Sequence, residues 1–237
     1  MGNEIFKKYV IGLDKSSDRF KAFLANNSHL QAEFFQGVKG TLISEEQKIS
    51  MGVLSKENHI QITSAEAGCA LSHRNIWEIT KKNKIGSLIL EDDVITHPGI
   101  IEFININYKE MMKFDITHFS VNTDAILESI SPEGIHNLRL FANQYPSPRF
   151  IKQTLERTNL NEVRIDKLIT SFGTSAYFVS PQGADLLTKK IFPFKGTPIK
   201  LPLKDQDFIP TGIDSEAIRY YKDIKAIVCN PLIAYSP

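Results

Sequence analysis

The stretch LILEDDV, Leu88 to Val94, places three consecutive carboxylates directly after an apolar run. The residues from Ile85 to Leu90 predict a short buried strand of the kind found at the centre of a parallel sheet. Its acids would then sit at the C-terminal edge, where open α/β sheets bind their ligands. Alternation along a strand puts Glu91 and Asp93 on one side and Asp92 on the other. Two carboxylates aimed at one spot both stay ionised only with a cation or basic group between them. A divalent ion with oxygen ligands suits that position, and a solvated acidic turn is the plainer alternative. A second acidic pair, Asp214-x-Glu216, reads by itself as a helix-capping Asp with a first-turn Glu that complements the helix dipole. The two cysteines, Cys69 and Cys229, have no metal-ligand spacing and read as buried small hydrophobes.

The elements that must position these acids alternate between strand and helix. Tyr9 to Leu13 predicts a strand, and after a polar turn RFKAFLANN predicts a short helix, the opening of an α/β fold. Ala32 to Val38 predicts a second strand. Thr63-x-x-Glu66 matches a capping box before a helix from Ala65 to about Lys82, with Ala65, Cys69, Ser72, Ile76 and Ile79 on its apolar stripe. The LILEDD strand follows, then a helix from Pro98 to Met112 and a strand from Phe114 to Val121. Between about residues 122 and 170 the pattern weakens, and Pro146 and Pro148 argue against regular structure, so an insertion or lid is expected. SFGTSAYFVS predicts a strand, with Ser180 as N-cap and Pro181 as first residue of the next helix. FPFKGTPIKLPLKDQDF reads as loop, IDSEAIRYY as a short helix and KAIVCNPLIAY as a last strand.

Composition bounds what such a chain can do. At 237 residues, 42% hydrophobic and 23% charged, it can bury one sizeable core, and one domain is expected over 1–237. The net charge of +1 offers no global attraction to nucleic acid. No apolar run reaches the roughly 18 residues that span a bilayer, and the first residues lack a signal peptide's apolar core. Gly2 invites myristoylation, but Phe6 stands where that signal wants Ser or Thr. A cytoplasmic protein is the expectation. An apolar strand ending in acids also describes a Walker B strand, yet there is no G-x-x-x-x-G-K-[ST] loop to accompany it.

Several segments together resemble the glycosyltransferase family 25 proteins of bacterial lipooligosaccharide synthesis and their collagen-galactosylating relatives. The residues that carry the resemblance are YVIGLDKSSDR, AEAGCALSHRNIW, LILEDDV, GTSAYFVSPQGADLL, and GIDSEAI with NPLIAYS, in the family's order. It spans Tyr9 to Val121 and Ser171 to Ser236. The resemblance implies a GT-A type α/β sandwich with a mainly parallel sheet. It also implies inverting transfer of galactose or glucose from a UDP-sugar to a lipid-linked oligosaccharide at the inner face of the membrane.

The implied roles fall on particular residues. Glu91 and Asp93 would hold Mn²⁺ or Mg²⁺ and Asp92 would contact the donor ribose or sugar, with the metal neutralising charge on the leaving UDP. Arg19 would grip the diphosphate, its alternative being a surface pair with Asp14 or Asp18. Ser72 and His73 would line the donor site, against the plainer reading of a core histidine; Trp77 reads as core. Ser175, in the segment Gly173 to Tyr177, would approach the sugar. Asp214 or Glu216 would take the proton of the acceptor hydroxyl, assistance typically worth about 10²- to 10⁴-fold. Asp214 is alternatively a metal ligand, since no histidine follows His136. From another class altogether, a catalytically silent carbohydrate- or nucleotide-binding protein would keep the fold without transfer. The segment Arg139 to Thr170 is locally basic and offers a contact for acceptor phosphates or anionic lipid.

Overall fold

A computed structural model describes residues 5–57, 60–139, 145–201 and 207–237, with the side chains of 137–139 outside the description. The strands are β1 (Lys7–Gly12), β2 (Glu33–Gln36), β3 (Ser87–Glu91), β4 (Ile95–Thr96), β5 (Ile116–His118), β6 (Ile126–Ser131), β7 (Gly134–Arg139), β8 (Arg164–Thr170), β9 (Ala176–Val179), β10 (Ile199–Lys200), β11 (Asp207–Phe208), β12 (Ala226–Asn230) and β13 (Ala234–Tyr235). The helices are α1 (Asp18–Asn26), α2 (Glu45–Ser50), α3 (Ser64–Asn83), α4 (Ile100–Met111), α5 (Pro148–Arg157), α6 (Pro181–Ile191) and α7 (Ile213–Ile218).

Nine strands form one sheet in the order β2-β1-β3-β9-β5-β12-β8-β6-β7. Six of them, β1, β2, β3, β5, β6 and β12, run one way, and β7, β8 and β9 run the other. The LIL strand therefore has a parallel neighbour on one side only. Strand β9 is antiparallel to both β3 and β5 and separates the two parallel groups.

Alternation along the central strands builds two apolar layers. Tyr9, Ile89, Tyr177 and Val179 face a core completed by α3, α6 and α7, whereas Val10, Leu88, Leu90 and Phe178 face a core completed by α1 and α4. Each fully buried Leu or Ile contributes about 1.5–3 kcal/mol relative to exposure, so both faces must be covered. The result is a sandwich of helices on a sheet. Its helix starts follow the sequence closely: Thr63 and Glu66 form the capping box of α3, and Ser180 caps α6 with Pro181 behind it.

The segment 122–170, whose pattern is weak in sequence, holds regular structure. Strands β6 and β8 extend the main sheet, with β8 paired to β12, and β7 closes its edge. The prolines do not exclude a helix: Ser147 caps α5 and Pro148 is its first residue, where a missing N–H costs nothing. Residues 140–144 of this segment, and 202–206 of the Pro- and Lys-rich stretch, lie outside the described residues. Among the described residues no helix is long and apolar enough to cross a membrane.

Candidate functional site

Two clefts open at the C-terminal ends of β1, β2 and β3. The larger, about 460 Å³, is lined by Gly12 to Asp14, Ser17, Arg19, Val38 to Thr41, Cys69, Ser72, His73, Glu91 and Asp92 among others. The smaller, about 300 Å³, is lined by Glu66, Cys69, Glu91, Asn122, Phe172 to Thr174 and Thr211 to Ser215, with Phe208. Cys69 and Glu91 belong to both. They form the wall the clefts share.

Close backbone approaches shape the larger cleft. A side chain at Gly68 would meet the Val38 carbonyl at 2.6 Å, and one at Gly40 would meet the Ser64 carbonyl at 2.1 Å. Helix α3 and the loop after β2 can touch only because both positions are bare. Ser72 fixes the contact: its hydroxyl donates to Gly68 O at 2.7 Å and accepts the Val38 N–H at 2.9 Å. The opposite wall carries the start of α1, whose N-cap Ser17 accepts from Phe20 N–H.

The acidic triplet divides differently from the expected alternation. Strand β3 ends at Glu91, so Asp92 and Asp93 lie in a turn and no longer follow the pleat. Glu91 keeps the side of Ile89 and faces α3, where its Oε1 accepts from the Thr174 hydroxyl at 2.7 Å and lies 3.4 Å from His73 Nε2. Asp92 and Asp93 instead share Arg19, through Nε at 2.6 Å and a terminal nitrogen at 2.8 Å. Asp93 is thus held on Arg19, whereas Glu91 is held by Thr174 and lies beside His73. Among the described residues the metal-competent group of three that converges is Cys69, His73 and Glu91.

The ionisation of the triplet follows this division. Burial raises the Glu91 carboxyl, but His73, Thr174 and Arg19 outweigh it and hold the group below its ordinary range. Asp92 and Asp93 shift upward, through burial first and through repulsion from Glu91, with Arg19 opposing. One guanidinium does not neutralise three acids.

The remaining expected residues are placed as follows. Arg19 is paired with Asp92 and Asp93, neither of which is the partner anticipated for it on the surface. His73 is buried and lines the larger cleft, its Nδ1 being 2.8 Å from the Tyr177 hydroxyl, which also accepts the Trp77 N–H at 2.8 Å. Trp77 is core. Ser175 is buried, its hydroxyl 2.7 Å from that of Ser120, and it lines neither cleft. Its neighbour Thr174 is the residue of that segment that reaches the site.

Asp214 faces the smaller cleft and accepts from Gly173 N–H at 2.8 Å and Ser215 N–H at 2.7 Å. Burial raises its carboxyl above the ordinary range despite those two donors. It does not cap α7; that position is Gly212. Glu216 is fully buried away from both clefts, bonded to Lys195 N–H and to Arg219, an arrangement of an interior ion pair rather than a base. Cys229 is buried as expected, but Cys69 is exposed, because the helix stripe that packs on the sheet runs through Ala67, Ala70, Leu71, Ile76 and Trp77. A periodicity count cannot tell a stripe facing a core from one facing a cleft.

An α/β sandwich with a cleft at its strand edge, where a helix start and charged side chains meet, has the layout in which open α/β sheets bind ligands. The chain belongs to glycosyltransferase family 25 (LPS biosynthesis protein), whose model matches residues 5–201. It is 25% identical over 239 residues to a presumptive glycosyltransferase of Haemophilus influenzae, covering 98% of this chain and 70% of that protein. It is also 22% identical to procollagen galactosyltransferase 1 of Danio rerio and 24% identical to a glycosyltransferase 25 family member of Drosophila melanogaster. Each covers 96% of this chain, which spans about 35% of either relative's length. A solved structure, A197 from STIV, aligns over 95% of this chain at 12% identity and a TM-score of 0.40, too remote to carry an argument.

Proposed function

We propose that the protein is a GT-A type enzyme that transfers a hexose, galactose or glucose, from a UDP-sugar to a lipooligosaccharide acceptor with inversion. The observation that carries this reading is the pair of clefts with a common wall at Glu91 and Cys69. Group transfer needs two substrates whose reacting atoms meet. The larger cleft suits a nucleotide diphosphate: its volume falls in the range of ligand pockets, and the start of α1, Arg19 and Lys39 supply donors for phosphate. The smaller cleft, with Asp214, suits the acceptor.

In this reading Asp214 takes the acceptor hydroxyl proton as that oxygen bonds to the anomeric carbon, and the bond from that carbon to UDP breaks with its electrons leaving on the diphosphate. Arg19, released from Asp92 and Asp93, moves onto the phosphates. Asp93 with Asp92 fits a hard divalent cation, because two carboxylates stand on one guanidinium and both are raised, by burial first and then by repulsion from Glu91. Mn²⁺ or Mg²⁺ bound there would neutralise charge on the departing UDP. A panel of UDP-sugars assayed with and without Mn²⁺ should show acceptor-dependent UDP release with UDP-galactose or UDP-glucose. Metal-dependent UDP binding without release or transfer from any donor would favour the silent binding protein instead.

The acceptor reading extends to the surface around α5. Arg149, Arg157, Arg164 and Lys167 are exposed and Lys152 half-buried; of the acids in the segment Asp166 is buried against Asn230 and Ser129, Glu156 and Glu162 are exposed, and Arg164 is paired with Glu133. Phe150 and Tyr145 in the same segment are also exposed, at 60% and 64%. This face suits peripheral contact with an anionic membrane. The protein should sediment with anionic vesicles, and replacing Arg149, Lys152 and Arg157 by glutamine should cut that binding severalfold. Unchanged sedimentation of the triple variant would sink the membrane contact.

A further inference from the structure

The polar wall between the two clefts has a composition that sugar transfer does not explain. Cys69 and His73 stand one helical turn apart on α3 and so project to the same side. Glu91, on the sheet face that packs against α3, completes the group, and one ligand atom from each of the three lies within 4.8 Å of the others. His73 Nε2 is buried, has no hydrogen-bond partner among the described residues, and is aimed into this group. At 3.4 Å from Glu91 Oε1 it is too far for a well-formed hydrogen bond. An orphaned imidazole nitrogen beside a thiol and a carboxylate is the donor set of a borderline-soft cation.

We propose that Cys69, His73 and Glu91 form a site for a divalent cation of the zinc class, with its fourth position open to the clefts. The support behind the ring matches what metal-binding histidines need: Nδ1 is anchored 2.8 Å from the Tyr177 hydroxyl, itself held by Trp77. Metal binding requires the tautomer whose Nδ1–H is donated to the Tyr177 hydroxyl, which then accepts from both His73 and Trp77, so that the Nε2 lone pair faces the other two ligands. The opposite tautomer would turn an N–H toward Glu91 and close the site, so the proposal fixes the tautomer. Zinc bonds of about 2.0–2.3 Å put neighbouring ligand atoms roughly 3.5 Å apart. The 4.8 Å spread closes through rotation of Cys69, the exposed member. Glu66 and Asp214 line the adjoining cleft; burial first, and then the negative charge of Glu91, Asp214 and Glu66, hold the Cys69 thiol in its protonated form. Binding would release the thiol proton to solvent. Hard cations are a poor match for sulfur and nitrogen, so this site is separate in chemistry from the carboxylates on Arg19.

The test uses the whole chain stripped with chelator and titrated with Co²⁺ as a spectroscopic substitute for Zn²⁺. One equivalent should produce a near-ultraviolet thiolate-to-cobalt band, displaced by Zn²⁺ and unaffected by excess Mg²⁺. The chain has two cysteines, and Cys229 is buried in the core, so the band reports Cys69. Cys69→Ala should abolish it. Cys69→Asp should keep Zn²⁺ binding by calorimetry without the band, and Glu91→Gln should weaken Zn²⁺ affinity at least tenfold. Absence of the band in a folded chain, or its survival in Cys69→Ala, would overturn the site. None of these readouts involves sugar transfer, so the site and the proposed reaction stand or fall separately.

Discussion

Replacing Asp93 by alanine should abolish the Mn²⁺-dependent part of UDP binding and with it both sugar transfer and slow donor hydrolysis. The two reactions are lost together because stabilising the leaving diphosphate serves each of them. The structure adds a reason for a large effect: Asp93 is one of two carboxylates paired with Arg19 among the described residues, so its removal leaves the guanidinium on Asp92 alone. UDP binding without metal should survive, since the start of α1 and Lys39 remain in place. Calorimetry of UDP with and without Mn²⁺ on the variant and the parent chain measures this directly. Retained metal-dependent binding with full transfer would remove the acidic turn from the mechanism.

Asp214→Asn should lower transfer by about 10²- to 10⁴-fold while leaving UDP and metal affinity nearly unchanged, the pattern of an interaction made chiefly in the transition state. Asparagine keeps one carbonyl oxygen to accept Gly173 N–H or Ser215 N–H, so the loop should hold its place. The pH profile supplies a second readout. A base must be ionised, and burial raises the Asp214 carboxyl, so transfer by the parent chain should fall on the acid side at a pH above the ordinary aspartate range. That acid limb should disappear from the residual activity of the asparagine variant. Lost metal-dependent UDP binding in Asp214→Asn would make it a ligand instead and leave the base elsewhere than Glu216, whose carboxylate is committed to Arg219 and Lys195 N–H.

Local signals determined much of this protein. The capping box at Thr63 and Glu66, the Ser180-Pro181 helix start and the strand of Leu88 to Leu90 are written in adjacent residues, because caps and short apolar runs depend on neighbours in sequence. The family motifs likewise lie in short contiguous stretches, and the match over residues 5–201 agrees with them. What the segment 122–170 becomes was not legible. Its prolines and turn residues are local, whereas β8 pairs with β12, some sixty residues away, and β6 pairs in turn with β8. The site shows the same limit. That Asp92 and Asp93 are acids was plain, but their pairing with Arg19 spans 74 positions, and the turn that ends β3 at Glu91 broke the alternation on which their expected division rested. Cys69 carried no signal of its own. It becomes part of a site only when the sheet brings Glu91 beneath α3, and the same packing commits Glu216 to an interior ion pair: burial and long-range pairing belong to tertiary structure, where a residue's role is decided by what the fold places beside it.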